Sequence, residues 1–227
     1  MSEKKPDPIW NLMGLLFKSH PWHGVQIGDE APDIVSAFVE IVPTDTVKYE
    51  LDKHNGYLKV DRPQKFSNVC PTIYGLIPQT YCGTEVARLC EERTGRTGIA
   101  GDSDPLDICI LTEKTISHGN IFLKAKPIGG LRMIDGNQAD DKIIAIMQGD
   151  AAYGDWQDID QCPTSLVDRL RHYFLTYKTK PGAITSECEI THIYGRKEAH
   201  EVIKKSQLDY SERFGSIPVM LTEALWG

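Results

Sequence analysis

Three carboxylates within six residues are the part of this sequence best suited to chemistry. Asp102, Asp104 and Asp107 stand in the run Asp-Ser-Asp-Pro-Leu-Asp, which Pro105 stiffens. Carboxylates this close together repel one another unless a cation or a proton lies between them. Oxygen-only ligands suit Mg²⁺, Mn²⁺ or Ca²⁺. The spacing alone does not separate such a cation site from an acidic turn at the surface.

An EF-hand calcium loop does not explain this run, because Asp107 stands where the sixth position of that loop needs glycine. A second acidic group follows at Asp135, Asp140 and Asp141, directly before Lys142. The two groups flank a predicted hairpin, so they can converge at one rim of a sheet. A solvated hairpin loop is the alternative.

The elements that must position these acids are predicted to be short β-strands. A mostly apolar run ending at Pro43 predicts a strand over 34–42, and alternating apolar and charged residues predict a second one over 47–51. The alternation resumes over 57–60 after an Asn55-Gly56 turn, which predicts a hairpin. Further apolar runs cover 108–111, 121–128, 131–134 and 143–147, separated by Gly119-Asn120, Gly129-Gly130 and Asp135-Gly136. Residues 78–101 lack a clean period and are predicted to form a long loop, or a short helix within a loop. Short strands with regular turn signals predict a small closed barrel.

The C-terminal part is predicted to be helical. Thr164-Ser165 is expected to cap a helix that runs to about residue 179, where Pro181-Gly182 ends it. A second helix is expected from about Lys197 to Phe214. Because the chain contains no internal repeat and no low-complexity tract, we expect one domain over 31–227 after an N-terminal arm over 1–30.

The composition excludes several classes of protein. Among 227 residues, 32 acids against 25 bases give a net charge of −7, which argues against gripping nucleic acid or an anionic membrane by bulk charge. Six of the seven excess negative charges fall within 101–160. No segment approaches the roughly 20 apolar residues that cross a bilayer, and the N-terminus lacks a signal-peptide cleavage site, so a cytoplasmic location is expected.

The cysteines give no sign of a structural zinc site. The chain has six, without a C-x-x-C pair, and reduced thiols are expected. Cys109, within an apolar run, is predicted to be a buried small hydrophobic residue. A bridge between Cys82 and Cys90 is left open.

The order of these residues resembles the soluble family I inorganic pyrophosphatases, in their long-loop bacterial branch. The resemblance runs from about Ile34 to Phe214, and the run 102–108 is its most specific motif. The other matching positions follow in order at Glu40, Lys48-Tyr49-Glu50, Asp61-Arg62, Tyr74-Gly75, Asp135, Asp140, Lys142 and Tyr177-Lys178. The resemblance implies an α+β, mainly β fold, namely a five-stranded OB-like closed barrel with C-terminal helices packed on it.

The resemblance also implies an activity, which is Mg²⁺-dependent hydrolysis of pyrophosphate to two orthophosphates. It implies about three to four Mg²⁺ ions per site with substrate, with Mn²⁺ or another divalent cation as the alternative. It implies a homo-oligomer, a trimer or hexamer rather than a dimer. Metal-bound water is a nucleophile at neutral pH, and cationic donors neutralise the charge that develops on the leaving phosphate.

Roles for single residues follow from the same resemblance. Asp102, Asp107 and Asp140 would bind the tightest metals, and Asp135 would join Asp140 on a further metal. Asp104 would orient and deprotonate the attacking water. Glu40 and Glu50 would serve the outer metal and the water network. The phosphates would be held by Lys48, Arg62, Tyr74, Lys142, Tyr177 and Lys178.

One departure concerns Cys70, which stands where many family members have a tyrosine that donates toward phosphate. A thiol is a weak donor, so one substrate contact is missing or comes from elsewhere. The stretch between Tyr74 and Asp102 is also longer than in compact bacterial enzymes, and its role is open.

Two other functions are alternatives to this one. A metal-dependent hydrolase of other small phosphates stays open, although a site lined for two phosphates favours pyrophosphate. An OB-type nucleic-acid module would need a basic strand face studded with aromatic residues. The predicted strands carry Glu40, Glu50, Asp102 and Asp107 instead, so we expect neither nucleic acid nor membrane as a partner.

The assigned charges agree with a metal-loaded substrate. Seven assigned acids against four assigned bases leave three negative charges, and pyrophosphate adds about three more if its groups ionise like other phosphates. Such a site calls for about three divalent cations before it can hold an anion.

Overall fold

The computed structural model describes residues 19–179, 182 and 188–215 of the chain. Residues 1–18 of the predicted arm, and Pro181 of the predicted helix stop, lie outside the described residues. Among the described helices, none is long and apolar enough to cross a membrane.

Ten strands and three helices make up the described fold. The strands are β1 Val35–Ile41, β2 Val47–Leu51, β3 Leu58–Pro63, β4 Ile73–Leu76, β5 Ala100–Gly101, β6 Asp107–Leu111, β7 Ile121–Asp135, β8 Gln138–Ala139, β9 Lys142–Met147 and β10 Cys188–Gly195. The helices are α1 Thr84–Thr94, α2 Thr164–Thr176 and α3 Arg196–Phe214, with a 3-10 turn at Ile159–Gln161.

Five strands close into a ring, which confirms the predicted barrel. β1 pairs with β4 and β7, β4 pairs with β6, β6 pairs with β9, and β9 returns to β7. The β6–β9 pair is parallel and the other pairs of the ring are antiparallel. β8 and β10 add to β7 outside the ring. The predicted hairpin is also present as β2 and β3, with Gly56 at φ +72° in its turn.

Apolar side chains of the ring strands enter two cores. Ile108 and Ile110 of β6 pack in a core that includes side chains of α1 and α3, whereas Cys109 and Leu111 pack in a second core with α2. Because both faces of β6 are covered, its sequence is a continuous apolar run instead of an alternating one. The burial of Cys109 confirms its predicted role.

The prediction that Gly129-Gly130 separates two strands is wrong, because β7 runs through it from Ile121 to Asp135. These glycines make room for β10. A Cβ atom on Gly130 would lie 2.5 Å from the Tyr194 ring, and one on Gly129 would lie 2.5 Å from the Tyr194 carbonyl oxygen. The small residues therefore serve close strand packing and not a turn.

The second predicted helix is confirmed as α3, but the first differs in detail. α2 begins after Pro163 without the side-chain cap expected from Thr164-Ser165, and it ends at Thr176. The stretch 78–101 contains the eleven-residue helix α1, and β4 and β10 were not predicted. Cys82 and Cys90 are buried as free thiols, so no bridge joins them.

Candidate functional site

The predicted site residues converge on one cavity of about 270 Å³. Every residue assigned from the sequence lines it, namely Glu40, Lys48, Glu50, Arg62, Tyr74, Asp102, Asp104, Asp107, Asp135, Asp140, Lys142, Tyr177 and Lys178. These residues come from all five strands of the ring, the β2–β3 hairpin, the loops around positions 102 and 140, and the end of α2. The acidic groups that flank the predicted hairpin therefore do meet in space.

The parallel pair β6–β9 places the centre of the site. Asp107 is the first residue of β6 and lies opposite Lys142, the first residue of β9. β4 runs antiparallel to β6 with Leu76 opposite Asp107, which brings Tyr74 to the same region. Asp135 is the last residue of β7. The ends of neighbouring strands thus present these side chains at one rim of the barrel.

The loop 102–106 is tied down by main-chain hydrogen bonds to the segment before α1. The Cys82 amide donates to the Asp104 carbonyl oxygen at 2.8 Å, and the Ser103 amide donates to the Cys82 carbonyl oxygen at 3.1 Å. Gly101 is required here, because a Cβ atom would lie 2.1 Å from that carbonyl oxygen. The side chains of Asp102 and Asp104 are therefore left to line the cavity.

The hairpin and the end of α2 carry cations of the site. Lys48 of β2 lies opposite Arg62 of β3, and its ammonium is 3.4 Å from Glu50 and 3.1 Å from Asp61. The Arg62 guanidinium lies over the Tyr177 ring, 5.8 Å from its centroid. The contact shows that Lys48 and Glu50 lie on the same face of β2, as residues two apart in a strand do.

Burial disfavours the negatively charged form of several acids in the cavity and so raises their pKa. Burial first, and then the Asp140 carboxylate, raise the pKa of Asp102 to about 8. Burial and then the Asp107 carboxylate raise the pKa of Glu40 to about 8. Burial also raises the pKa of Asp107, although the Lys142 ammonium opposes the shift. A cluster of this kind favours bound protons or cations.

Lysine ammonium groups contact the carboxylates of the cavity. Lys142 contacts both Asp107 and Asp140, and Lys178 contacts Asp135. Within the part of the chain that the structure describes, no three His, Cys, Asp or Glu side chains are arranged to hold a metal ion. The donor set itself fits hard divalent cations, because it consists of carboxylate oxygens that burial and mutual repulsion make ready to accept positive charge.

Lys53 and Tyr173 are among the cavity residues that sequence reasoning missed. Lys53, in the turn after β2, lines the cavity and contacts the Asp104 carboxylate. Tyr173 of α2 also lines the cavity, and its hydroxyl accepts a long hydrogen bond of 3.4 Å from Gln64. Lys53 lies only five residues after Lys48. Its closeness in sequence to the Lys48-Tyr49-Glu50 motif was the feature from which a place in the site could have been predicted.

Cys70 is fully buried in the α2 core and is not among the described residues that line the cavity. Tyr173 belongs to the same core and also lines the cavity. A phenol from α2 is therefore present at the cavity wall, although Cys70 is not.

A buried charged network behind the site was also missed. Arg132 and Asp141 are fully buried, with Nη1 and Oδ2 2.9 Å apart. The Tyr194 hydroxyl donates to Asp141 Oδ2 at 2.9 Å, and Arg132 donates to Glu198 of α3 at 2.7 Å. Asp141 was expected at the rim with Asp135 and Asp140, and that prediction is wrong. Its buried contacts with Arg132 and Tyr194 fix the main chain between the cavity residues Asp140 and Lys142.

Comparisons with known proteins agree with this geometry. The family model described as Inorganic pyrophosphatase matches residues 37–211. The inorganic pyrophosphatase of Chlamydia caviae is 51% identical over 218 residues, which cover 94% of this chain and 97% of that protein. The inorganic pyrophosphatase of Chlamydia trachomatis serovar D is 49% identical over 200 residues, which cover 86% of this chain and 96% of that protein.

Solved structures show the same architecture. The inorganic pyrophosphatase of Thermus thermophilus superposes with a TM-score of 0.70 at 26% identity, covering 85% of this chain and 99% of that one. The enzyme of Helicobacter pylori gives a TM-score of 0.67 at 27% identity, covering 82% and 98%. With a family model that matches most of its length and relatives about half identical to it, the chain belongs to the inorganic pyrophosphatase family.

Proposed function

We propose that this chain hydrolyses inorganic pyrophosphate to two orthophosphates in a reaction that depends on Mg²⁺. The observation that supports this most strongly is the convergence of every assigned acid, base and tyrosine on one cavity, in a chain of this family. The substrate and the metal are both assigned to that cavity.

The acids at the strand ends are the proposed metal ligands. Asp102, Asp107 and Asp140 would hold the tightest divalent cations, and Asp135 would join Asp140 on a further one. Glu40 and Glu50 would serve the outer metal and the water network. Bound divalent cations supply a water of lowered pKa as the nucleophile. Mn²⁺ or another divalent cation is the alternative to Mg²⁺, with about three to four ions per site once substrate is present.

Asp104 is the proposed general base. Its side chain is 41% exposed, against 20% for Asp107 and 14% for Asp140. An accessible carboxylate next to buried ones can meet the attacking water while the deeper acids hold cations. The role assigned to Asp104 is to orient that water and to take its proton.

The cations of the cavity are the proposed phosphate ligands. Lys48 and Arg62 come from the hairpin, whereas Lys142 and Lys178 come from β9 and the end of α2. Two separate sets of cations suit a substrate with two linked phosphates, one held by each set. Tyr74 and Tyr177 add hydroxyl donors at the same wall.

The test is a phosphate-release assay on the purified chain. We expect orthophosphate release from pyrophosphate at neutral pH with Mg²⁺, no release with excess chelator, and recovery when Mg²⁺ is restored. Parallel assays with ATP and p-nitrophenyl phosphate test the alternative, which is a hydrolase of other small phosphates. Faster release from either compound than from pyrophosphate would favour that alternative. The absence of release from pyrophosphate with Mg²⁺ present would refute the proposal.

Three further proposals concern the context of the enzyme. We propose a homo-oligomer, a trimer or hexamer, in the cytoplasm, with residues 1–30 as an arm before the domain. The support for the oligomer is the family resemblance. A monomer or dimer in a sedimentation experiment would contradict the oligomer.

The part of the arm that the structure describes packs on the domain. Trp22 is buried and donates from its indole nitrogen to the Thr80 carbonyl oxygen at 2.7 Å.

A further inference from the structure

Lys53 stands in a turn that hydrogen bonds and close packing hold next to the cavity. The Asp52 carboxylate accepts hydrogen bonds from the amides of His54 and Asn55 at 3.0 and 3.2 Å. Gly56 packs so closely on His20 that a Cβ atom would lie 2.9 Å from its ring. The turn therefore fixes the main chain from which the Lys53 side chain reaches the cavity.

The partner of the Lys53 ammonium is the Asp104 carboxylate, 51 residues away in sequence. This contact resembles those of two other cavity lysines. Lys142 contacts Asp107 and Asp140, and Lys178 contacts Asp135. In each case the ammonium group of a lysine contacts a carboxylate inside the cavity.

Divalent cations would compete with these ammonium groups for the carboxylates. A divalent cation on the carboxylate cluster repels an ammonium group and attracts the same oxygens more strongly. The displaced ammonium groups remain in the cavity, since their main chains are fixed, and they need an anionic partner. Lys142 and Lys178 are already assigned to phosphate, and Lys53 is in the same electrostatic position.

We propose that Lys53 is a further ligand for a substrate phosphate. Its ammonium pairs with the Asp104 carboxylate before substrate binds, and it donates to the phosphate group beside Asp104 when metal and substrate fill the cavity. This rests on the proposed function, because it assigns the phosphate that lies next to the general base. The contact also holds the Asp104 side chain in the cavity until that phosphate arrives.

Lys59 provides a matched control on the same hairpin. It stands on β3, its side chain is 52% exposed, and its ammonium lies 3.8 Å from Asp52 instead of in the cavity. Removing its charge changes the net charge of the chain as much as removing that of Lys53. A difference between the two variants therefore reports the position of the charge.

The experiment compares the wild-type chain with Lys53→Met, Lys53→Arg and Lys59→Met. Steady-state kinetics with pyrophosphate and Mg²⁺ give KM and kcat, and calorimetry gives the affinity for methylenediphosphonate, which is not hydrolysed, and for Mg²⁺ alone. Loss of one charged hydrogen bond to phosphate should raise KM and weaken the binding of methylenediphosphonate in Lys53→Met by about 10- to 100-fold.

Mg²⁺ affinity should stay equal or rise in Lys53→Met, because a positive charge that repels divalent cations in the cavity is gone. Lys53→Arg should recover most of the affinity for methylenediphosphonate, and Lys59→Met should match the wild type. Equal KM and equal methylenediphosphonate affinity in Lys53→Met and wild type would overturn the proposal, as would an arginine variant no better than methionine. Weakened Mg²⁺ binding in Lys53→Met would also overturn it, since that result indicates a structural role.

The two proposals fail in different ways. A wild-type chain that releases no orthophosphate contradicts the proposed function. An active wild-type chain whose Lys53→Met variant keeps wild-type kinetics contradicts only the role of Lys53.

Discussion

Exposure distinguishes Asp104 from the acids that surround it. Asp107 and Asp140 are the less exposed acids of the cluster and contact Lys142, whereas the Asp104 side chain is 41% exposed and contacts Lys53. Proton acceptance needs access to water, and cation binding needs several converging oxygens. The same residue type can therefore serve two roles within six positions of sequence.

The role proposed for Asp104 predicts a defect in the chemical step and not in metal binding. Asp104→Asn keeps the shape of the side chain but removes a proton acceptor, so kcat should fall by roughly 10²–10⁴. Mg²⁺ affinity measured by calorimetry should change little. Asp168→Asn on the exposed face of α2, where Asp168 pairs with Arg171, is the control and should keep wild-type turnover. An Asp104→Asn enzyme with undiminished kcat would remove this residue from catalysis.

At the scale of elements, the helix α1 depends on a residue of another helix. Gly83 precedes it and offers no side-chain cap. Asp209 of α3 accepts hydrogen bonds from the amides of Gly83, Glu85 and Val86 at 2.9, 2.9 and 3.0 Å. A capping residue 126 positions away from Gly83 leaves no local signal, which explains why 78–101 was expected to be mostly loop.

This cap predicts a loss of stability when its carboxylate is removed. Asp209 is only 3% exposed, so Asp209→Ala leaves amide donors without an acceptor and should lower the free energy of unfolding by about 2 kcal/mol. Urea denaturation followed by circular dichroism measures this change. Glu212→Ala, on the exposed part of α3, should stay within about 0.5 kcal/mol of the wild type. Equal stability of the two variants would show that the cap contributes nothing.

At the scale of the whole molecule, folding concentrates the excess negative charge of the chain in one region. Six of the seven excess negative charges lie in residues 101–160, and the strand ends bring the principal acids of that range into one cavity. Folding therefore brings like charges together, at a cost that bound cations offset. The stability of the fold should depend on divalent cations more than on ionic strength.

Thermal unfolding checks this dependence without any measurement of activity. A ligand that binds only the folded chain stabilises it by about 2.7 kcal/mol at one hundred times its dissociation constant, so saturating Mg²⁺ should raise the melting temperature by several degrees. NaCl at the same ionic strength should give a smaller rise, and Asp107→Asn should reduce the effect of Mg²⁺. Equal shifts with Mg²⁺ and NaCl in the wild type would contradict a metal site in this cavity.

Local patterns predicted a large part of the fold. The Asn55-Gly56 turn between alternating segments predicts the β2–β3 hairpin, because turn signals and strand alternation depend on neighbours in sequence. Gly129-Gly130 was misread since the same residue type serves a turn or a close strand contact. The strand β10, which pairs along β7, was missed because its alternation is weak and its partner is distant.

The sequence by itself determined which residue types are present and in what order, and so it determined the family and the list of candidate site residues. Only the tertiary structure decided which of them touch. Lys53 meets Asp104 and Arg132 meets Asp141 because strand pairing brings their segments together, and Asp209 meets the start of α1 because α3 packs against α1. Such pairs cannot be predicted from spacing along the chain, because the energy of a contact depends on the distance in space between the two groups. That distance is set only when the chain folds.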